Sequence, residues 1–189
     1  MKFISKRNQV SLENGVVVKY YANKKALRQE AEALQYLQSM GIAVPMLLST
    51  HKNCLKMKYI EGETYLEHVD RMTLEKAKAL AKWLFDYYLV MGRVKGDVNL
   101  RNFIWSDKAC LGLDFEDPPL PGSLELCFGK VLAFAITYQP AFDLAKARCA
   151  EFLLQAFLEL ETEPEKIKSA YLQEVNAMNL RRASSLIRI

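Results

Sequence analysis

The sequence predicts an α+β protein with two lobes, in which a small antiparallel sheet and one helix precede a mainly helical lobe. Short β-branched and aromatic runs, separated by turn residues, fill most of residues 1–61. Longer stretches whose apolar residues recur at helical spacing fill most of residues 62–189. A hydrophobic content of 51% with 25% charged residues is typical of a globular protein and excludes a disordered chain. We place the boundary between the lobes at Gly62.

The first lobe is predicted to be a sheet interrupted by one helix. Its elements are strands over residues 2–5, 9–13 and 16–21, a helix over residues 25–40, and strands over residues 46–50 and 54–60. The Asn14-Gly15 pair between the second and third strands is a strong signal for a two-residue hairpin. The helix is predicted because Leu27, Ala31 and Leu34 begin an apolar stripe at helical spacing.

The second lobe is predicted to be mainly helical. Its helices cover residues 73–91, 124–137, 140–160 and 163–178, and a basic tail follows over residues 179–189. Thr73 is the expected N-cap of the first of these helices. An aromatic stripe that includes Trp83 and Tyr87 is expected to be its core face rather than a cofactor contact.

The stretch from Lys95 to Asn102 carries the strongest functional signal. Asp97 and Asn102 lie five positions apart, and Asp114 closes the apolar run 109–113, which reads as a short strand. Kinase-type phosphotransferases use such a set: the first Asp orients a substrate hydroxyl, while the Asn and the second Asp hold divalent metal. The alternative is a polar loop followed by an ordinary hairpin.

Lys19 is the one basic residue in the apolar strand 16–21. A strand-edge charge that promotes solubility would explain it. A functional alternative exists because a kinase lysine, held by a helix carboxylate, binds the α and β phosphates. Glu30 and Glu32 on the following helix compete for that partnership, and Glu32 fits a solvated face better.

Taken in order, these blocks resemble the aminoglycoside and choline phosphotransferases, and also the small atypical protein kinases such as the one in the KEOPS complex. The blocks that carry the resemblance are residues 28–34, 41–45, 55–63, 96–102 and 113–117. The resemblance implies a protein-kinase-like fold that binds ATP and Mg²⁺ between its lobes. It also implies transfer of the γ-phosphate to a hydroxyl of a small molecule or a protein.

The resemblance also implies a role for individual residues. Asp97 would orient the acceptor hydroxyl, Asn102 and Asp114 would hold metal, Lys19 would bind phosphate, and Glu30 would fix Lys19. Adenine would lie against the backbone of the hinge residues Met57, Lys58, Tyr59 and Ile60.

Two positions depart from the family pattern. The turn after the first strand contains no glycine, so Lys6 and Arg7 would supply charge in place of close backbone contacts, or would be two solvated hairpin charges. Lys95 stands where the family usually has a histidine that supports the metal loop. We count Lys95 among the candidate catalytic residues, because it could pair with Asp97 or Asp114 or point at a phosphate.

The acceptor is not identified by the sequence. An acidic pocket for a cationic alcohol could be built from Glu116, Asp117, Glu125, Asp143 and Glu151. For Asp143 and Glu151, a solvated helix face is the favoured alternative. A shorter second lobe than that of antibiotic kinases favours a small metabolite, a lipid or polysaccharide hydroxyl, or a protein serine. The alternative function is a pseudokinase, a nucleotide-binding scaffold without turnover, which the glycine-free turn and Lys95 favour.

Charge and cysteine usage set the remaining expectations. The net charge is +4, and residues 1–28 are strongly basic, which suits a polyanionic nucleotide. No nucleic-acid motif is present, although the basic tail leaves RNA contact possible, and Ser184 or Ser185 in it is a hypothetical site of phosphorylation in cis. Four widely spaced cysteines predict reduced thiols. Without a predicted signal peptide or membrane span, we expect a cytoplasmic protein.

Overall fold

The computed structural model of the chain describes residues 2–3 and 8–186. In the first lobe the elements are β1 (Lys2–Phe3), β2 (Gln9–Glu13), β3 (Val16–Tyr20), α1 (Lys24–Ser39), β4 (Leu47–His51) and β5 (Cys54–Lys58). In the second lobe they are β6 (Glu63–Thr64), α2 (Leu74–Met91), β7 (Phe103–Ser106), β8 (Ala109–Gly112), α3 (Leu124–Thr137), α4 (Leu144–Leu158) and α5 (Pro164–Leu186). One-turn 3₁₀ helices lie at Val69–Arg71 and Leu100–Asn102.

The first sheet has the strand order β1-β2-β3-β5-β4, and each neighbouring pair is antiparallel. The register pairs Lys19 of β3 with Val10 on one side and Leu55 on the other, which puts the lysine in the middle of the sheet. Helix α1 covers one face through Leu34 and Leu37, both fully buried. The α+β fold with a small sheet and one helix in the first lobe is therefore confirmed.

The second lobe combines a three-stranded sheet, in the order β6-β7-β8, with helices that bury a large aromatic core. Phe128 of α3 stacks on Phe157 of α4 with ring centroids 3.9 Å apart. Gly129 of α3 lies against Ala170 of α5, where an added Cβ would come within 2.5 Å of the alanine Cβ. The absent side chain lets the two helices approach closely.

One carbonyl group accepts two hydrogen bonds between the lobes. The Ala43 carbonyl, in the loop after α1, accepts hydrogen bonds from Trp83 Nε1 of α2 at 2.7 Å and from the Gly112 amide of β8 at 3.1 Å. Trp83 packs so tightly on Gly112 that an added Cβ would lie 2.2 Å from its ring. This contact fixes the end of β8, from which the predicted metal loop begins, against the first lobe.

Two helix boundaries differ from those expected. Helix α4 begins at Leu144 and not near residue 140, because Phe142 has a φ of 60° and Asp143 caps the helix by accepting from the Lys146 amide. Helix α5 continues to Leu186, so the expected tail over residues 179–189 is helical as far as the structure describes it. No Gly or Pro ends this helix in the sequence after residue 178.

All four cysteines are buried and unpaired. No helix in the described part of the chain is long and apolar enough to cross a bilayer.

Candidate active site between the lobes

Lys19 and Glu30 form a buried ion pair at the back of the cleft. Lys19 projects from β3, and its Nζ lies 2.8 Å from Glu30 Oε2 on α1. The Tyr21 hydroxyl also donates to Glu30, which is only 2% exposed, whereas Glu32 is exposed to solvent. The structure therefore contains the Lys19–Glu30 pair and not a pair with Glu32.

The segment after β8 brings two more carboxylates to the same lysine. Asp114 Oδ1 lies 3.1 Å from Lys19 Nζ, and Glu116 Oε1 lies 2.5 Å from it. Asp114 adopts a φ of 57°, a left-handed conformation that Asp tolerates better than most residues. Between them, the Phe115 amide donates to Glu30 Oε1 at 3.4 Å. The lysine ammonium is thus surrounded by three carboxylates.

The charges of these groups shift their pKa values in different directions. Burial lowers the pKa of Lys19, but Glu30 and Asp114 raise it more, so the net shift is upward and the ammonium stays charged. Burial raises the pKa of Asp114, and the charge and hydrogen bond of Lys19 outweigh it, so the net shift is downward. Glu116 is the group whose pKa is raised, by burial and by repulsion from Asp114 and Glu30 that Lys19 only partly offsets.

Lys95 joins the predicted catalytic loop, residues 96–102, to the predicted metal loop, residues 113–117. It is 4% exposed, and its Nζ donates to the backbone carbonyls of Asp97 at 3.0 Å and of Asp114 at 2.7 Å. The ammonium also lies 4.8 Å from the centroid of the Phe115 ring. Its hydrogen bonds go to main-chain oxygens and not to the carboxylates of Asp97 or Asp114, while a contact with a phosphate stays a prediction. Burial lowers its pKa.

The rest of the catalytic loop is held by local hydrogen bonds. Asp97 Oδ1 accepts from the Asn99 amide at 3.0 Å, which orients the carboxylate. Asn102 is buried, and its carbonyl accepts from the Leu113 amide at 2.8 Å. That bond brings Asn102 alongside the strand that ends at Asp114.

The expected adenine contacts lie at the end of β5. Met57 is a buried strand residue that pairs with Val17. The amides of Lys58 and Tyr59 donate to the carbonyls of Met46 at 2.9 Å and Gly15 at 3.0 Å. These two amides are therefore already bonded within the first lobe, and the contact of adenine with the backbone of Met57 to Ile60 stays a prediction. Lys6 and Arg7 lie outside the described residues.

A comparison with known protein families adds a direct sequence match. A RIO domain matches residues 4–117 of the 189, which is more than half of the chain and includes both catalytic and metal loops. The chain belongs to the RIO domain family. The expected membership of the protein-kinase-like superfamily is thereby confirmed. A comparison with curated proteins finds no match.

Solved structures share the fold of this RIO domain chain at low sequence identity. The aminoglycoside phosphotransferase APH(2'')-IIa, in its ternary complex with streptomycin and ATP, superposes over 92% of this chain and 83% of its own, with a TM-score of 0.64 at 15% identity. ADP-bound APH(2'')-Ib superposes over 100% and 86%, with a TM-score of 0.65 at 15% identity. WbdD superposes over 90% of this chain and 48% of its own, with a TM-score of 0.59 and 15% identity.

Sequence reasoning missed two features of the RIO domain's cleft. The sequence places Glu116 among the acids for the acceptor, yet it contacts Lys19 and accepts from Asn8 Nδ2 at 2.5 Å, so it joins the residue before β2 to the segment after β8. Tyr138, just after α3, donates its hydroxyl to Asn99 Oδ1 at 2.6 Å. Neither contact corresponds to a periodic pattern in the sequence from which it could have been predicted.

The other acidic candidates of the second lobe have structural partners or face solvent. Asp143 caps α4, and its Oδ2 lies 2.7 Å from Lys146 Nζ. Glu125 occupies the first turn of α3, and Glu151 is exposed on α4. These contacts give no support for an acidic acceptor pocket built from Asp143.

Proposed function

We propose that this RIO domain chain is an ATP-dependent phosphotransferase that passes the γ-phosphate of ATP to an alcohol hydroxyl. The single observation that best supports this is the Lys19–Glu30 pair at 2.8 Å, with Asp114 at 3.1 Å from the same ammonium. Strand, helix and metal loop meet there, and this is the arrangement with which kinases hold nucleotide phosphates. Kinase-like structures with ATP or ADP bound have the same fold.

Each residue would then have a defined task. Glu30 keeps Lys19 charged and aimed at the phosphates, since a buried ammonium needs an anionic partner. Asp97, held by the Asn99 amide, would orient the acceptor hydroxyl. Lys95 would position the two loops relative to each other through the carbonyls that it binds.

The oxygen atoms available fit a magnesium ion. Carboxylate oxygens of Glu30, Asp114 and Glu116 lie within 4.8 Å of one another, and Asp114 is 44% exposed toward the cleft. Mg²⁺ prefers such hard oxygen donors. Asp114 and the Asn102 side chain would hold the ion, which when bound would neutralise charge on the transferred phosphoryl group.

A second function is favoured by one observation. Glu116 lies 2.5 Å from Lys19, so a carboxylate stands where a phosphate oxygen would bind the ammonium. A scaffold that binds nucleotide weakly or without turnover would have such a contact. The complete set of Lys19, Glu30, Asp97, Asn102 and Asp114 favours the enzyme.

The decisive experiment measures transfer of labelled γ-phosphate from Mg·ATP into a panel of hydroxyl compounds, with Asp97→Asn as the blank. Thermal stability is followed in parallel, because a ligand at a hundred times its Kd stabilises by about 2.7 kcal/mol. Label in a product that the Asp97→Asn variant does not form would support the enzyme. Stabilisation by ATP without any labelled product would favour the scaffold, and the absence of both would refute nucleotide binding.

A further inference from the structure

The Arg101 side chain is held in place beside the catalytic Asp97. It belongs to the 3₁₀ turn Leu100–Asn102, and its Nε donates to Asn99 Oδ1 at 3.0 Å. The same oxygen accepts from the Arg101 amide at 3.1 Å and from the Tyr138 hydroxyl at 2.6 Å. A long surface side chain would ordinarily be mobile, so these bonds orient the guanidinium group.

Among the residues that the structure describes, Arg101 has no acidic partner for its positive charge. The residue is exposed, and within residues 8–186 no carboxylate forms an ion pair with it. By contrast, Arg71 pairs with Glu63 and Arg181 pairs with Glu174. A guanidinium that is oriented but not neutralised presents its remaining donors to an anion, which it binds in a forked geometry.

Asn99 links Arg101 to Asp97, because its amide donates to Asp97 Oδ1 at 3.0 Å while its own Oδ1 accepts from Arg101 Nε at 3.0 Å. Burial is the main reason why the pKa of Tyr138 is raised to about 12; of the nearby charges, Asp97 raises it and Arg101 lowers it. Both charged groups therefore act on one hydroxyl. An acceptor whose hydroxyl lies at Asp97 would carry its other substituents past Arg101.

A second cation extends this basic region. Arg182, near the end of α5, donates through Nη2 to the carbonyl of Thr137 at 3.0 Å. Thr137 immediately precedes Tyr138 in the sequence. The end of α5 therefore lies near the tyrosine that shares the Asn99 Oδ1 acceptor with Arg101. An arginine at the end of α5 therefore contacts the residue next to the tyrosine.

We propose that the phosphate acceptor is an alcohol that also carries a phosphate or carboxylate group, and that Arg101 binds this anionic group while Asp97 orients the hydroxyl. The inference rests on the proposed phosphotransferase function and names its substrate class. It separates this chain from APH(2'')-IIa, whose structures were solved with streptomycin and with gentamicin, because the cationic groups of those antibiotics would be repelled by Arg101.

The anion site is tested without knowing the acceptor, using inorganic phosphate as the probe. The ¹⁵N-labelled full chain is saturated with Mg²⁺ and a non-hydrolysable ATP analogue, and the arginine Nε–H resonances are followed by NMR. We expect the Arg101 resonance, assigned with Arg101→Lys, to shift saturably with phosphate but not with choline chloride. Arg148, exposed on α4, is the internal control and should not move. An Arg101 resonance that ignores phosphate would overturn the proposal.

A second experiment tests whether Arg101 belongs to the nucleotide site or to the acceptor site. Arg101→Met should leave the affinity for Mg·ATP within twofold of the wild type, as measured by calorimetry. If the variant weakened Mg·ATP binding instead, Arg101 would belong to the nucleotide site and the proposal would fail. If the wild type did not bind Mg·ATP at all, the proposed phosphotransferase function would fail, whatever the phosphate titration showed.

A third experiment measures the charge of the acceptor directly. Small molecules from a cell extract are separated into anionic, neutral and cationic fractions by ion exchange, and each is incubated with labelled Mg·ATP and the enzyme, with Asp97→Asn as the blank. We expect label in the anionic fraction, reduced about tenfold to a hundredfold by Arg101→Met, the loss typical of a charged hydrogen bond. Label confined to the cationic or neutral fraction would overturn the anionic acceptor, and no label in any fraction would overturn the phosphotransferase itself.

Discussion

Glu116 Oε1 lies 2.5 Å from Lys19 Nζ, closer than the Glu30 oxygen at 2.8 Å. The lysine that would bind nucleotide phosphates therefore has an additional carboxylate as its partner. Asn8 Nδ2 donates to the same Glu116 oxygen, so the contact joins the residue before β2 to the segment after β8. An incoming triphosphate would have to compete with Glu116 for the ammonium.

The first prediction concerns that competition. Glu116→Gln keeps the shape of the side chain and removes one negative charge beside the phosphate site, so we expect Mg²⁺-free ATP to bind about tenfold more tightly, ~1.4 kcal/mol. Calorimetry with EDTA present measures it. Glu32→Gln, on the exposed face of α1, is the matched control and should change nothing. Weaker Mg·ATP binding with unchanged Mg²⁺-free binding would instead make Glu116 a metal ligand and contradict the prediction.

The second prediction concerns pH. The pKa of Glu116 is raised in the folded protein, chiefly by burial, so its ionisation opposes folding. Its unfavourable effect is absent below the ordinary pKa of a glutamate, grows as the pH rises through the raised value, and is complete above it. We therefore expect Glu116→Gln to be more stable than the wild type at neutral pH, by a margin that shrinks as the pH falls. Parallel thermal melts from pH 4 to 8 measure it, and a margin that widens on acidification would contradict it.

The third prediction concerns the Lys19–Glu30 pair. Lys19→Met removes the cation that contacts three carboxylates, so we expect a loss of about 3–5 kcal/mol in the free energy of unfolding. Adding Glu30→Gln should restore part of that loss, with a coupling of about 1–3 kcal/mol in a double-mutant cycle by urea unfolding.

The Lys82–Asp86 pair on α2 supplies a control double-mutant cycle for the Lys19–Glu30 pair. Its atoms are as close, at 2.7 Å, but the lysine side chain is 73% exposed, so the coupling should stay below about 1 kcal/mol. Equal couplings for the two pairs would mean that burial contributes nothing to the Lys19–Glu30 interaction.

The sequence predicted those parts of the site that depend on regular elements. A strand with one lysine and a helix with an apolar stripe leave few arrangements for Lys19 and Glu30, and α3 was bounded correctly at Leu124–Thr137 by the same periodicity. The contacts that were missed join loops across long sequence separations: 108 positions for Asn8 to Glu116 and 39 for Asn99 to Tyr138. Such contacts depend on tertiary packing, which no local pattern encodes.

The helix boundaries show the same limit. The expected start of α4 near residue 140 failed because Phe142 takes a positive φ, and nothing in the local sequence demands this conformation there. The expected end of α5 near residue 178 was wrong, because the helix continues to Leu186. Contacts made by Arg181 with Glu174 and by Arg182 with Thr137 support its last turns.

The fourth prediction concerns Lys95. Lys95→Met leaves the carbonyls of Asp97 and Asp114 without their donor, so we expect the free energy of unfolding to fall by about 1–3 kcal/mol. Turnover should fall further, by about a hundredfold, because the two loops lose their relative position. Lys95→His, the residue usual in the family, should retain more turnover than the methionine variant at equal stability.

Lys168→Met on the exposed side of α5 is the matched control for Lys95→Met and should leave both quantities unchanged. A Lys95→Met variant that lost stability but kept its turnover would show that Lys95 supports the fold and does not position the loops.

The last prediction tests Asp114 as the metal ligand. Because Asp114 has a φ of 57°, alanine would be strained there, and Asn is the better substitution since it tolerates this conformation and keeps the shape of the side chain. We expect Asp114→Asn to fold but to lose the Mg²⁺-dependent part of ATP binding, so that the stabilisation of about 2.7 kcal/mol given by ligand at a hundred times Kd disappears at the same concentrations. Asp107→Asn is closely matched, with a φ of 48° in the exposed turn between β7 and β8, and it should bind Mg·ATP as the wild type does. Thermal melts with and without Mg²⁺ compare the three proteins. Unchanged Mg²⁺ dependence in a folded Asp114→Asn variant would remove Asp114 from the metal site and leave its contact with Lys19 as its only role.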